Sequence, residues 1–310
     1  MNWLIIAIFA YLILALVNLA DKFLLDKIVP SAKTYTFLVS CLGLIVLIVA
    51  PWALHWPGFY WLVINLIVGA IFPFALLLLY RALKLGDTSK IIPLIGGAIP
   101  IFTLALSILF LGDSFSLRQW LAILLLLVGT VLMALMPAGH SLWSHMMLWF
   151  GLAKTKNREA IMTAIGAGLL FAIFFVGTKY TYQAQEFLSA FIWVRIGTFL
   201  AGCALLLPKE QRKEIIHGLK KIHGGKGFLL FTNQAIAAVG FLLQNYAIFL
   251  GSVALVNALQ GVQYAFLLVL GGLISVFYPN LLKENISTKV VIQKLTAVLL
   301  ISIGLYFLAF

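Results

Sequence analysis

The chain has 310 residues, of which 64% are hydrophobic and 10% charged, and a formal net charge of +12. Its mean hydropathy is +1.12. A soluble domain carries about 25% charged residues, so this composition excludes a soluble enzyme or a nucleic-acid-binding domain and leaves a polytopic helical membrane protein.

In chain order, ten stretches reach the roughly 20 mostly apolar residues that a spanning helix needs. They are 2–20, 33–50, 58–82, 88–111, 117–136, 160–180, 187–207, 227–249, 252–277 and 289–309. Strands of a membrane barrel would instead run about ten residues with alternating polarity. The first stretch has neither a basic leader nor a small-residue cleavage site close behind it, so it reads as a retained span. Only two connections are long, 137–159 and 208–226. The second is basic and draws as a short amphipathic helix lying on headgroups, as does Leu142 to Leu152 in the first. Neither is long enough to hold a catalytic domain. Cys41 and Cys203 fall inside apolar runs and read as buried core thiols, not as a disulfide or metal pair.

The linker 137–159 leaves five helices in 1–136 and five in 160–310. The two halves repeat. LKLGDTSKIIPLIGGAIPIF at 83–102 lies over IFLGSVALVNALQGVQYAFL at 248–267 with an offset of 165, which puts Gly86 on Gly251 and Gly96 on Gly261. Further on, Asp113 falls on Glu284, and between the first helices of each half Lys22 falls on Lys179. Repeats with an odd number of spans insert in opposite orientations. The expected fold is therefore all-α, with ten transmembrane helices in two inverted five-helix repeats and a shared site near the midplane.

These residues carry a family resemblance. Tyr80-Arg81-Ala82-Leu83 to Gly86, then Pro93 and Pro100-Ile101-Phe102, then Leu111-Gly112-Asp113, resemble the pattern of the EamA-type branch of the drug/metabolite transporter superfamily. The resemblance covers nearly the whole chain, once per half. Asp113 stands where the family usually has glutamate, and Ala265 stands at the second half's counterpart of Pro100. The resemblance implies small-molecule transport by alternating access, with no cofactor.

Several side chains are candidates for that work. Pro93, Gly96, Gly97 and Pro100 crowd helix four, and with Gly261 in helix nine they read as hinge or close-packing positions. Asn257, Gln260 and Tyr264 share one face of helix nine; Asn233, Ala237, Gly240 and Gln244 share one face of helix eight. Such amides mark either helix contacts or a pathway. Arg195 lies near the middle of helix seven, where arginine must face protein or water, and its forked guanidinium suits a carboxylate or phosphate. In the expected site Arg195 holds an anionic group, and Asn257, Gln260, Gln244 and Asn18 bond polar groups. Lys179, Trp193, Tyr80 and Tyr264 line it as well. No Asp or Glu falls inside an expected span, since Asp21 and Glu186 stand at helix ends. That disfavours a cation-drug pump and removes the usual proton carrier. The histidines show no ligand spacing, so no metal is expected.

The expected partners are a small-molecule substrate and the lipid bilayer, in a bacterial inner membrane. Nucleic acid is excluded, and a homodimer is compatible with the sequence. Of 21 basic residues, 18 sit on odd-numbered connections or at their helix ends. The positive-inside rule puts that face in the cytoplasm and both termini outside, whereas the resemblance implies the reverse. Two other readings are a flippase, or flippase subunit, for a lipid-linked intermediate, and a membrane scaffold whose amides pair with one another. An enzyme finds no nucleophile, base and orienter at usable spacing.

Overall fold

The computed structural model describes residues 2–27, 29, 31–85, 88–134, 158–222, 224–277 and 288–309. Helix α1 is Asn2–Lys27; α2 is Ala32–Leu42, extended by a 3-10 stretch Gly43–Val49 and a last turn Ala50–Ala53. Then come α3 (Phe59–Leu85), α4 (Thr88–Leu106) ending in a π-helical turn Ser107–Leu111, and α5 (Leu117–Ala134). The second half holds α6 (Arg158–Ala184), α7 (Phe187–Ala204), a short α8 (Lys209–Lys220), α9 (Gly225–Leu250), α10 (Val253–Ala258), α11 (Gln260–Phe277) and α12 (Thr288–Ala309). Among the described residues, nine segments are long and apolar enough to cross a membrane, and α5 is a shorter apolar helix. The chain is an all-α polytopic membrane protein. The expected amphipathic helix after α7 is present as α8, whereas Leu142 to Leu152 and Glu284 lie outside the described residues.

Local chemistry sets the helix ends. Ser31 starts α2, its Oγ accepting from the Thr34 N–H at 3.1 Å. Gly112 ends the π-helical turn with φ +69°, a left-handed conformation that glycine adopts without strain.

In the core, α3 lies against α6 and α7, α1 against α9 and α11, α4 against α6, α2 against α7, and α5 against α12. The α3–α7 crossing is the closest in character to a backbone-on-backbone contact. A Cβ on Gly197 would meet Leu66 O at 2.5 Å and Leu66 Cα at 2.7 Å. Thr198 Oγ1 donates to Gly69 O at 3.0 Å beside it. Small residues at such crossings let helices approach closely in lipid.

The connections separate into two faces. Lys33 pairs with Glu214 at 2.8 Å and Arg81 with Glu159 at 2.7 Å, which brings connections 1–2 and 7–8, and 3–4 and 5–6, to one basic face. At the other end, the 2–3 connection is pinned to the start of α7. His55 N–H donates to Ser189 Oγ at 3.1 Å, and His55 Nδ1 lies 3.2 Å from Glu186 Oε2. Trp52, Trp56, Phe59 and Tyr60 are exposed at this end, as suits a headgroup belt.

Helix α4 runs unbroken from Thr88 to Leu106 through Pro93, Gly96, Gly97 and Pro100. The interruption falls instead at Leu259, between α10 and α11, next to Gln260 and Gly261. Beside Pro100, Thr103 Oγ1 donates back to Ile99 O at 2.7 Å, one turn earlier on the same helix. Cys41 and Cys203 are free, as expected, but only half-buried.

Candidate substrate site

Arg195 is 5% exposed. Its guanidinium carbon lies 4.3 Å from the ring centroid of Phe241 on α9, and 5.6 Å from those of Phe72 on α3 and Phe191 on its own helix. On its fourth side the guanidinium packs against Gly43, after α2, where a Cβ would come within 3.4 Å of Arg195 Cζ. Nη1 is buried and has no hydrogen-bond partner among the described residues. Cation–π contact satisfies the charge in part, but ring faces accept no strong hydrogen bond. A buried, planar, forked donor with one unpaired nitrogen thus lies between α2, α3, α7 and α9. Phe72 and Phe241 continue through Phe171 and Phe174 into an aromatic cluster with centroid spacings of 5.0–6.1 Å.

The other expected site residues do not converge on this point. Asn257 is 1% exposed and donates to Thr103 Oγ1 at 3.1 Å. Gln244 Nε2 lies 3.4 Å from Tyr11 Oη, which donates to Val256 O at 2.8 Å. Asn233 and Gln244 both reach towards α1 or its neighbours, so the α9 stripe is a helix-contact face. Gln260 is half-buried at the start of α11, and the Tyr264 hydroxyl packs on Gly96 of α4, so Gly96 is a close-packing position. A Cβ on Gly261 would strike the Thr130 hydroxyl of α5.

Five placements differ from the sequence reading. Asn18 is exposed, because it lies on the outer side of α1. Lys179 is a helix cap: its ammonium donates to Ile248 O at 2.9 Å, Phe249 O at 3.0 Å and Gly251 O at 2.7 Å, using all three protons on the C-terminus of α9. Trp193 points away from Arg195, its Nε1 donating to His55 O at 3.0 Å. Tyr80 packs edge-on to Tyr35 at 5.6 Å. Asp21 is the fifth. Helix α1 continues to Lys27, so this carboxylate lies within the helix and takes hydrogen bonds from Tyr35 Oη and, at 2.6 Å, Asn233 Nδ2. The first candidate membrane span closes at this residue, and the helix continues past it.

The resemblance seen in the sequence has an independent match. The model of the EamA-like transporter family matches residues 1–135. The first half of the chain is therefore similar to an EamA-like transporter unit. Among solved structures, one described only as "Crystal structure of protein" aligns over 99% of this chain and 94% of its own, with a TM-score of 0.67 and 16% identity. That likeness is one of fold, and it runs past the EamA-like half into the second. No curated protein matches the chain.

Proposed function

We propose that this protein is a ten-span transporter of the EamA type that carries small anionic metabolites, with Arg195 as the group that binds the anion. The observation that carries the proposal is the buried Arg195 guanidinium, with Nη1 unpaired in an aromatic surround. A buried donor of this kind costs stability unless a partner arrives, and a carboxylate or phosphate matches its fork.

The helix contacts support two repeats, in 1–136 and 160–310. Exchanging the first five spans for the second five maps α1–α9 onto α6–α3, and α4–α6 onto α11–α1, while α2–α7 and α5–α12 map onto themselves. A pseudo-two-fold of that kind passes between α2 and α7, where Gly43 meets Arg195. It allows alternating access by rocking one half on the other about a fixed central site. The closing element is the interruption at Leu259 rather than the proline pair of α4. The substrate is recognised by its anionic group and by an apolar or aromatic body that fits the phenylalanine wall, and polar amides play a smaller part. The setting is a bacterial inner membrane.

A ligand-induced thermal shift on the purified protein tests this. Carboxylates and organic phosphates with apolar bodies should raise the melting temperature of wild type and leave Arg195→Met unmoved. Equal shifts in both proteins would refute the assignment.

A further inference from the structure

Asp21 has no role in the site around Arg195, yet it is the most elaborately held carboxylate among the described residues. Gln234 Nε2 donates to Tyr35 Oη at 2.9 Å, Tyr35 Oη donates to Asp21 Oδ1, and Asn233 Nδ2 donates to the same oxygen at 2.6 Å. The groups come from three helices: Asp21 from α1, Tyr35 from α2, Asn233 and Gln234 from α9. Tyr80 of α3 approaches through the Tyr35 ring. On α2 and α8 the nearby charges, Lys33 and Glu214, are paired with each other at 2.8 Å. No ion pair among the described residues includes Asp21. Oδ2 takes no hydrogen bond from a described residue.

We propose that Asp21 is a proton-binding site, loaded at Oδ2 from the basic face of the membrane and held in the seam of α1, α2 and α9. Three features point to a proton rather than a metal ion. Every described partner of the carboxylate is a donor whose proton faces it, so none of them presents a lone pair to a cation there. The described partners are neutral, so none of them offsets the carboxylate's charge when the seam closes away from water. The remaining acceptor, Oδ2, is the atom that takes a proton from hydronium, leaving water and a neutral acid.

The site is tied to Arg195 through shared helices. Tyr35 and Gly43 lie eight residues apart on α2, and Asn233 and Phe241 eight apart on α9. At 1.5 Å per residue each interval is about 12 Å. Proton loading at Asp21 weakens what Tyr35 and Asn233 hold, and so loosens the two helices that flank the guanidinium. This is a route by which protonation couples to the central site.

Infrared difference spectra of the purified full-length protein, recorded as pH is lowered, test the proposal with the proton itself as probe and without any substrate. Wild type should show a carboxylic acid C=O band that Asp21→Asn lacks. In Tyr35→Phe, which keeps the acid and removes one donor to the charged form, that band should persist to higher pH by about 1 unit. Sodium added at constant pH should leave it unchanged. Identical spectra from wild type and Asp21→Asn would overturn the proposal. So would a band that sodium abolishes, which would assign the site to a metal cation. A thermal-shift response lost only with Arg195 would leave this result standing, so the two readings fail separately.

Discussion

Replacing Arg195 with methionine separates a binding group from a structural anchor. The guanidinium is 5% exposed and Nη1 lacks a partner. Its burial costs several kcal/mol after relaxation. The rings return part of that: about 2 kcal/mol for Phe241 at 4.3 Å, and about 0.5–1 kcal/mol each for Phe72 and Phe191 at 5.6 Å. Methionine forfeits the ring electrostatics, sheds the charge and fills much of the same volume. The expected outcome is a ligand-free protein as stable as wild type or more stable by up to about 3 kcal/mol. Reversible unfolding in mixed micelles of increasing sodium dodecyl sulfate, followed by tryptophan fluorescence, measures this. An arginine that anchored the fold through buried partners would instead lose about 3–5 kcal/mol on truncation. A loss of that size would refute the reading of Arg195 as an open donor.

The α3–α7 crossing makes a second, steric prediction. Gly197→Ala drives a methyl to 2.5 Å from Leu66 O, a backbone atom that cannot swing aside. Gly177→Ala meets only the Val68 side chain at 2.8 Å. The first should destabilise by about 3 kcal/mol and the second by about 1 kcal/mol in the same unfolding assay. Lys179→Met removes three charge-assisted bonds from the end of α9. It should cost about 2–4 kcal/mol and raise hydrogen exchange over 245–251. On the basic face, the Lys33 ammonium holds the Glu214 carboxyl below its usual range. That contribution is present at neutral pH and fades as pH falls through the depressed value, when Glu214 is protonated. The pair is half-exposed and worth at most about 1 kcal/mol. Exchange in α8 should therefore rise modestly in acid, and Glu214→Gln should abolish the pH dependence.

Hydropathy located the spanning helices within a few residues, because a lipid-exposed backbone has no alternative to the helix and its length is set by the bilayer. The larger overrun was in α1, which extends from the expected end at 20 to Lys27. A charged pair, Asp21-Lys22, ends an apolar window but does not end a helix whose carboxylate finds donors on neighbouring helices. Arg195 was legible as a candidate because mid-span charge is rare. Its surroundings were not, since Phe72, Phe191 and Phe241 come from three helices and look like ordinary lipid-phase filler in sequence. The amide stripes were legible as periodic faces, but periodicity says only that a face is shared. The side-chain bonds from Asn233 to Asp21 and Asn257 to Thr103 show those faces buried in helix contacts. Lys179 illustrates the remaining gap, for nothing in one sequence tells a ligand-binding lysine from one that caps a distant helix 69–72 residues on.

The central claim is that this chain moves anions through Arg195. Counterflow in proteoliposomes tests it most directly: vesicles loaded with a panel of unlabelled carboxylates and organic phosphates, and uptake of the radiolabelled compound followed in time. The account predicts accumulation of at least one anion by wild type, and none by Arg195→Met even though that variant folds. Accumulation of the same anion at the wild-type rate by Arg195→Met would contradict it.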